Sequence, residues 1–404
     1  MDVNQKIIID LLSCVLRKRV PDESIVKGAE WNALWKEARA HDISAMLYPA
    51  LKNLTAFKKQ SKELQDKWQR SALVAASMQS YCFMEIVRVF EAFKENGISV
   101  IALKGLILRK LYPQPELRTM GDADILVHNE DLGRVRDLLT TMGYTPDSDN
   151  EVHIHFNHPN CLPIEVHWSL INERFVKGAE KWEKTVWENS VPADGLGGSA
   201  LMLSLEDHIL HLCLHMAVHI MHSGFGLRQL CDLVLLIESA SKDIDWDLFC
   251  QKAKFCRLER FTWAILQVCS KFFNLEVPEP VKKLTHGDSK YIQLLEYDVF
   301  SSGTYGNKTS VRQMGNLLLR DENYKNSDPS AGKLKYYFKL AFPSSLELGE
   351  KYNYARRHPI LLPAAWIQRL IRSLYRKDLS ISDKLALPEL YGNRAKLIDW
   401  LNLK

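Results

Sequence analysis

The chain has 404 residues, of which 46% are hydrophobic and 25% are charged, with 19 glycines and 15 prolines. These ordinary values exclude collagen-like, low-complexity and wholly disordered proteins. The 53 basic and 49 acidic residues give a net charge of +4, which does not require a polyanionic partner. At roughly 150 residues per domain, the length predicts two or three domains.

No segment predicts insertion into a membrane or export. Apolar runs stay shorter than the ~18 residues that a transmembrane helix needs. Asp10 interrupts the apolar stretch near the N-terminus, and no small-residue cleavage site follows it, so residues 1–19 are typical of an amphipathic helix and not of a signal peptide. We therefore expect a cytoplasmic protein without a membrane span.

The cysteines do not form a recognisable metal or disulfide pattern. They lack Cys-x-x-Cys pairs and mostly lie among apolar residues with helical spacing. In a chain of this length such cysteines are expected to be buried thiols. Their positions are 14, 82, 161, 213, 231, 250, 256 and 269.

The first 97 residues have mostly helical periodicity, clearest at 42–48 and 78–94. Asn96-Gly97 predicts the end of the last of these helices. The pattern then changes to short strands and helices, which predict a compact α/β unit of roughly 75 residues. Its predicted elements are strands at 98–103 and 122–127, a helix from 129 or 130 to 139, and extended segments at 153–158 and 162–168.

Residues 203–275 again have a helical pattern, and the C-terminal 54 residues are basic, with 11 Lys and Arg against 4 Asp and Glu. There an apolar stripe of Trp366, Ile367, Leu370, Ile371 and Leu374 is flanked by Arg369, Arg372, Arg376 and Lys377. Such a basic amphipathic helix can bind nucleic acid or a membrane surface, but docking of its apolar face onto the protein is the favoured interpretation.

These changes of pattern divide the chain into four regions. We predict a helical N-terminal region at 1–97, a core at 98–200, a helical domain at 201–300, and a C-terminal region with the basic helix at 301–404. No internal repeat is evident.

The most informative segment is Gly121-Asp-Ala-Asp-Ile-Leu-Val. Because side chains alternate along a strand, Asp122 and Asp124 point the same way, while Ala123, Ile125 and Val127 point into a core. Adjacent carboxylates repel, and hard oxygen ligands suit Mg²⁺.

The segment Ile164-Glu-Val-His-Trp follows the same alternation and places Glu165 and His167 on one face. If the two strands are neighbours, Glu165 joins the aspartates as a third acid. Three carboxylates can hold two Mg²⁺ ions about 3.5–4 Å apart, an arrangement that stabilises the attacking and leaving oxygens in nucleotidyl transfer. A solvated strand end is the alternative explanation of an isolated Asp-x-Asp.

Lys104-Gly105 lies where a strand gives way to a helix. Glycine allows close approach of the backbone, and a helix N-terminus offers N–H groups to phosphates, to which Lys104 adds a charge. Arg118 either holds a triphosphate or pairs with the acids, and the sequence leaves both interpretations open.

Together these motifs resemble the uncharacterised bacterial nucleotidyltransferases of the DNA polymerase beta superfamily. The resemblance includes Leu103-Lys-Gly-Leu, Leu111-Tyr-Pro, Met142-Gly-Tyr, Leu205-Glu-Asp-His, His211-Leu-Cys-Leu-His and Leu227-Arg-Gln-Leu-Cys-Asp, and covers most of the chain from residue 98. Lys104-Gly105 replaces the Gly-Ser helix start that is usual in the superfamily.

The resemblance implies an α+β fold, with a small mixed-sheet, polymerase beta-like nucleotidyltransferase core surrounded by helical regions. It also implies Mg²⁺ (or Mn²⁺) bound by Asp122, Asp124 and Glu165. The substrate would be an NTP such as ATP, whose nucleoside monophosphate moves to an unidentified hydroxyl on a small molecule or a protein. Lys104, Gly105 and Arg118 would then bind the nucleotide.

Five histidines recur along one predicted helix face, over an arc of about 80°. They are His208, His211, His215, His219 and His222. Three interpretations stay open, namely a structural stripe at the edge of the core, a wall of the active-site cleft, and a metal site at i, i+4 spacing. The inner three, together with His167 and Arg228, are candidates for contacting the acceptor.

Other charged and histidine residues have less specific patterns. Arg228 and Asp232 are four residues apart on the next helix and predict a structural pair, with contact between Arg228 and phosphate as the alternative. His153 and His155 flank the third strand and could approach the site.

The preferred function is therefore an Mg²⁺-dependent nucleotidyltransferase. The alternative is a catalytically inactive relative that binds a nucleotide or a protein partner as a regulatory module. Nucleic-acid binding by the basic C-terminal segment is a less favoured third hypothesis. The oligomeric state is not indicated by the sequence.

Overall fold

The protein is described from a computed structural model, which covers residues 1–149, 152–170, 180–198, 200–285 and 287–304. Beyond these it describes 306, 308–309, 312, 316, 342–344, 348, 352, 354–355, 358–374 and 392–403. Arg376 and Lys377 of the predicted basic helix lie outside the described residues.

Helices form the N-terminal region, as the periodicity predicts. They are α1 (Val3–Leu16), α2 (Trp31–Ala40), α3 (Ser44–Leu51), α4 (Thr55–Lys58) and α5 (Lys62–Glu95). A capping box starts α1, because the Gln5 N–H donates to the Asp2 carboxylate at 2.8 Å and the Gln5 side chain accepts from the Asp2 N–H at 3.0 Å. After α5, Gly97 adopts a φ of +62°, which confirms the predicted stop.

Strands and helices alternate in the next region, again as predicted. The elements are β1 (Val100–Ala102), α6 (Gly105–Leu108), β2 (Ala123–Val127), α7 (Leu132–Thr141), β3 (Thr145–Asp149), β4 (His153–Asn157), β5 (Ile164–His167), α8 (Glu180–Val186), β6 (Val191–Pro192) and β7 (Leu201–Met202). The strands form one mixed sheet in the order β3-β4-β5-β2-β1-β7-β6. This mixture of helices with a mixed sheet is the α+β fold predicted.

Strands β3, β6 and β7 were not predicted. The sequence of β3, Thr-Pro-Asp-Ser-Asp, is polar and contains a proline, which a sheet tolerates at its edge, where β3 lies. Strands β6 and β7 have two residues each, too few for a period-2 pattern.

The helices that follow include α9 (Leu205–His222), α10 (Leu227–Ser239), α11 (Trp246–Phe255), α12 (Glu259–Phe273), α13 (Glu279–Lys282), α14 (Ser289–Ser302) and α15 (Leu362–Leu374), and residues 392–400 are also helical. The helix α15 lies at the predicted apolar stripe. In it Trp366 donates to the Pro343 carbonyl at 2.8 Å, whereas the Ile367 side chain is 60% exposed.

The two faces of the sheet meet two different cores. Ala123, Ile125 and Val127 are fully buried against α5 and α7, as the strand alternation predicts. On the opposite face Leu126 joins a larger core, which also takes side chains from the N-terminal helices and from α9 to α14. The N-terminal region and the second helical region therefore share one hydrophobic core, and the four-region division stays a prediction.

Helix α5 is long and apolar enough to cross a membrane by length and composition alone, and 28% of its most apolar 18-residue window is buried. Its C-terminal half packs Phe90 and Phe93 against the sheet. All eight cysteines are free thiols, six of them buried, as predicted.

A buried ion pair fixes the loop before β2 to helix α10. Arg118 donates to both carboxylate oxygens of Asp232, at 3.0 and 2.5 Å, and the Tyr112 hydroxyl donates to the same carboxylate at 2.7 Å. Burial opposes the charged guanidinium, but Asp232 raises the pKa of Arg118 above its usual range. The loop that leads into the Asp122-Ala-Asp124 strand is thus anchored on the helical side.

We expect Asp232→Asn to lower the free energy of unfolding by about 3–5 kcal/mol, because it leaves the Arg118 charge buried without its partner. Urea unfolding would measure the loss. Asp66→Asn, in the exposed Lys62–Asp66 pair, is the matched control and should unfold close to wild type. Equal effects of the two substitutions would contradict this assignment.

Candidate active site

Two neighbouring strands carry the predicted carboxylates. β2 and β5 are parallel, and their register places Asp124 directly beside Glu165. Asp122 precedes Asp124 by two residues and shares its face of the sheet. Asp124 is 4% exposed, and the side chain of Glu165 is 21% exposed. The structure thus brings together the three acids that the sequence singled out.

The two aspartates have opposite pKa shifts. Burial and the negative charge of Asp124 raise the pKa of Asp122 to about 6, against the opposing effect of Lys104. Burial alone would also raise the pKa of Asp124, but Lys104 and His167 hold it well below its usual range. The site therefore carries buried negative charge that a positive group stabilises.

Lys104 supplies part of that positive charge. Its Nζ lies 2.7 Å from Asp124 Oδ1, and its side chain is 13% exposed. Its backbone φ of +44° is uncommon for a residue with a side chain, and such strained positions cluster at functional sites. A lysine at a position that favours glycine indicates that the ammonium is needed there.

His167 links the acids on the two strands. Its Nε2 lies 3.2 Å from Asp124 Oδ1 and 3.5 Å from Glu165 Oε2. Burial favours the neutral ring, but hydrogen bonds to the two carboxylates raise the pKa of His167. Its Nε2 is therefore directed at the acids.

Helix α9 places three histidines beside the carboxylates. Burial first, and then the charge of Lys104, hold the pKa of His211 and His215 well below the usual range and lower that of His219 to about 4. The charge of Asp124 acts on all three in the opposite direction.

The histidines of this helix differ in the contacts of their ring nitrogens. The Nε2 atoms of His215 and His219 lie 3.0 Å apart. Both ring nitrogens of His211 are buried without a hydrogen-bond partner among the described residues. His208 differs, since burial lowers its pKa to about 4 and its charged neighbours are Asp232 and Lys110. Within the stripe, the charges of Lys104 and Asp124 therefore act on the inner three histidines, and their contact with an acceptor stays a prediction.

Gly105 and Arg118, both predicted to bind nucleotide, are packed closely against each other. Arg118 is held by Asp232, as described above. A Cβ at Gly105 would collide with the Arg118 guanidinium and the Met120 sulfur, so this glycine is needed for the approach of Arg118. Helix α6 is also only four residues long. Arg118 is therefore engaged by Asp232 and not by the three acids, Lys104 contacts Asp124, and nucleotide binding at Gly105 stays a prediction.

The predicted Arg228–Asp232 pair is wrong. Arg228 Nη1 instead donates to the Asp42 carboxylate and, at 2.8 Å, to the Thr119 carbonyl, while Asp232 accepts from Arg118. The charge of Arg228 still lowers the pKa of Asp122, which places it near the site. Asp42 is far away in the chain and carried no signal of this role.

The donor set fits a divalent cation. Three carboxylates share one sheet face, and burial, followed by the negative charge of Asp124, raises the pKa of Asp122. Oxygen donors of this kind suit Mg²⁺ or Mn²⁺. Asp122, Asp124 and Glu165 are the residues that would hold such an ion, with Lys104 and His167 as the groups that neutralise Asp124 without it.

A mixed sheet that gathers acids from two parallel strands defines the nucleotidyltransferase class of site. The family model described as an uncharacterised nucleotidyltransferase matches residues 27–274, more than half of the chain. The protein belongs to this family, which confirms the resemblance of its motifs. Comparison with curated proteins gives no match.

Solved nucleotidyltransferase structures are similar at low identity. The antibiotic-resistance factor ANT(2'')-Ia is 13% identical, with 47% of this chain and 97% of that chain covered at a TM-score of 0.33. A tRNA nucleotidyltransferase complexed with a primer tRNA and an incoming ATP analogue is 13% identical, with 77% and 96% covered at a TM-score of 0.25. Such values carry no information about the substrate of this protein.

Because His208 is neutral in the folded state and has a pKa of about 4, its contribution to stability is complete above pH 6.5. That contribution is lost as the pH falls from about 6.5 to about 4, because the histidine of the unfolded chain binds a proton at a higher pH than that of the folded protein. The free energy of unfolding of the wild-type protein should therefore decrease between these pH values. We expect this decrease to be smaller by about 3 kcal/mol in His208→Leu.

Denaturant unfolding at a series of pH values would test this expectation. His358→Gln, which replaces an exposed histidine, is the control and should keep the wild-type pH dependence. An unchanged slope in His208→Leu would show that this imidazole already charges in the folded protein.

Proposed function

We propose that the protein transfers a nucleoside monophosphate from an NTP to an acceptor hydroxyl. The observation that supports this most directly is the parallel β2–β5 register, which puts Asp124 beside Glu165 with Asp122 on the same face. Asp122, Asp124 and Glu165 would hold Mg²⁺ or Mn²⁺. Bound there, two such ions stabilise the charge on the attacking and leaving oxygens.

Lys104 has a role in this proposal that follows from its position. Its ammonium neutralises Asp124 at 2.7 Å. When a divalent cation binds the Asp124 carboxylate in place of the lysine, the lysine side chain can contact the triphosphate, where its charge stabilises the phosphates. Lys104 thus exchanges one anionic partner for another.

The acceptor would enter between the carboxylates and helix α9. His211, His215 and His219 are neutral near pH 7, since burial lowers their pKa values, and neutral imidazoles can accept or donate hydrogen bonds to a hydroxyl. Glu165, on the strand bonded to β2, would take the proton of the acceptor hydroxyl. Its carboxylate is the most exposed of those that contact His167.

An inactive nucleotide-binding module is the second candidate function. The observation in its favour is the Lys104–Asp124 ion pair, which already neutralises one of the acids. In such a protein the lysine would keep Asp124 after the nucleotide binds. Nucleotide binding without transfer would then be the whole activity.

We expect Asp124→Asn to lower transfer at least about thousandfold while the protein stays folded, because loss of a metal carboxylate removes several kcal/mol of transition-state stabilisation. The measurement is incubation with Mg²⁺ and an α-labelled NTP, followed by the appearance of label on the protein or on added alcohols. Circular dichroism would check the fold of the variant.

The matched control is Asp131→Asn, which removes a carboxylate from the segment after β2, where Asp131 pairs with Arg134 at 2.8 Å. It should transfer label at the wild-type rate. Wild-type turnover in Asp124→Asn would refute the catalytic assignment. Binding of NTP by the wild-type protein without any transfer would favour the second candidate.

A further inference from the structure

A second group of metal-ligating side chains lies next to the three acids. Ligand atoms of His153, Glu165 and His167 all fall within 4.8 Å of one another. The antiparallel β4–β5 register causes this, because it pairs His153 with His167 across the two strands, and their ring centroids are 4.9 Å apart. Glu165 precedes His167 by two residues and so shares its face.

We propose that His153, Glu165 and His167 form a binding site for a transition-metal ion of the Zn²⁺ or Co²⁺ class. Two imidazoles and one carboxylate are a donor set that suits these ions, whereas Mg²⁺ prefers oxygen ligands alone. The site is separate in its chemistry from the carboxylate site, and Glu165 belongs to both.

The geometry needs only a small adjustment to hold the ion. Ligands about 2.1 Å from a tetrahedral Zn²⁺ lie about 3.4 Å from one another. The ligand atoms, at most 4.8 Å apart, therefore need to approach by at most about 1.4 Å. The side chains that must move are partly exposed, at 21% for Glu165 and 12% for His167.

The surrounding charges favour a cation on this side of the acids. Lys104 contacts Asp124 on β2. His153 lies on β4, which β5 separates from β2. His167 Nε2 now contacts Asp124 and Glu165. Binding of the ion would replace these contacts with a bond from an imidazole nitrogen to the metal. Asp124 would then keep only its ion pair with Lys104.

The experiment uses Zn²⁺ alone, without nucleotide, so its result is independent of the proposed transfer reaction. The full-length protein is first stripped with a chelator and then titrated with Zn²⁺ in a large excess of Mg²⁺, with calorimetry as the readout. One Zn²⁺ per chain should bind, and X-ray absorption of the loaded protein should show two imidazoles and no sulfur.

Variants identify the ligands. His153→Ala should weaken Zn²⁺ binding at least about tenfold, since loss even of a residue that only supports a ligand commonly costs that much. His158→Ala, which removes the imidazole beside Tyr144 after β4, is the matched control and should bind as wild type. Asp122→Asn should abolish transfer but keep Zn²⁺ binding, which separates this proposal from the proposed function.

Several outcomes would overturn the proposal. Loss of Zn²⁺ binding in Asp122→Asn to the same extent as in His153→Ala would place the ion among the carboxylates. Loss in His219→Ala would place it on helix α9, and sulfur scattering would place it on a cysteine. If His153→Ala fails to fold, His153→Gln takes its place, and wild-type Zn²⁺ affinity in that variant would overturn the proposal.

Discussion

The structure of the site depends on how buried negative charge is compensated. Asp122, Asp124 and Glu165 share one face of the sheet, and burial of adjacent carboxylates without a cation is costly. In the protein alone, Lys104 and His167 provide the compensation, and both contact the same oxygen of Asp124. Burial and the charge of Asp124 raise the pKa of Asp122 to about 6, although Lys104 acts in the opposite direction.

The same constraint explains why helices surround this face of the sheet. The acids can stay close only if their strands are held, and the loop before β2 is held by Arg118 against Asp232 on α10. Arg228, from the same helix, is fixed by Asp42 near the N-terminal helices. These pairs connect the strands to the large helical core. Arg118, which the sequence offered as a phosphate ligand, thus stabilises the position of strand β2.

Oxygen and nitrogen donors are arranged side by side on this face. Strand β2 carries the carboxylate of Asp124, and β4 carries the imidazole of His153. Strand β5 lies between them and carries both the carboxylate of Glu165 and an imidazole. Helix α9 adds further imidazoles opposite Lys104 and Asp124. The reaction that we propose needs different partners for a triphosphate, a divalent cation and a hydroxyl acceptor, and this surface carries both oxygen and nitrogen donors.

Local patterns determined much of the fold. Helical spacing located α5 and α9, and strand alternation placed Asp124 and Ile125 on opposite faces of the sheet. The motifs indicated the nucleotidyltransferase family, which the family match to residues 27–274 shows. The sequence could not locate β3, because a polar edge strand is fixed by its neighbour β4 and not by its own hydrophobic pattern.

The tertiary structure alone decided which charges meet. Arg118 and Asp232 are 114 positions apart, and Arg228 and Asp42 are 186 apart, so no local spacing could reveal either pair. The position of His153 opposite His167 depends on the strand register, and a shift of one residue would turn these side chains to the other face. The sequence by itself thus determined which residue types are available for chemistry, and long-range packing decided their partners.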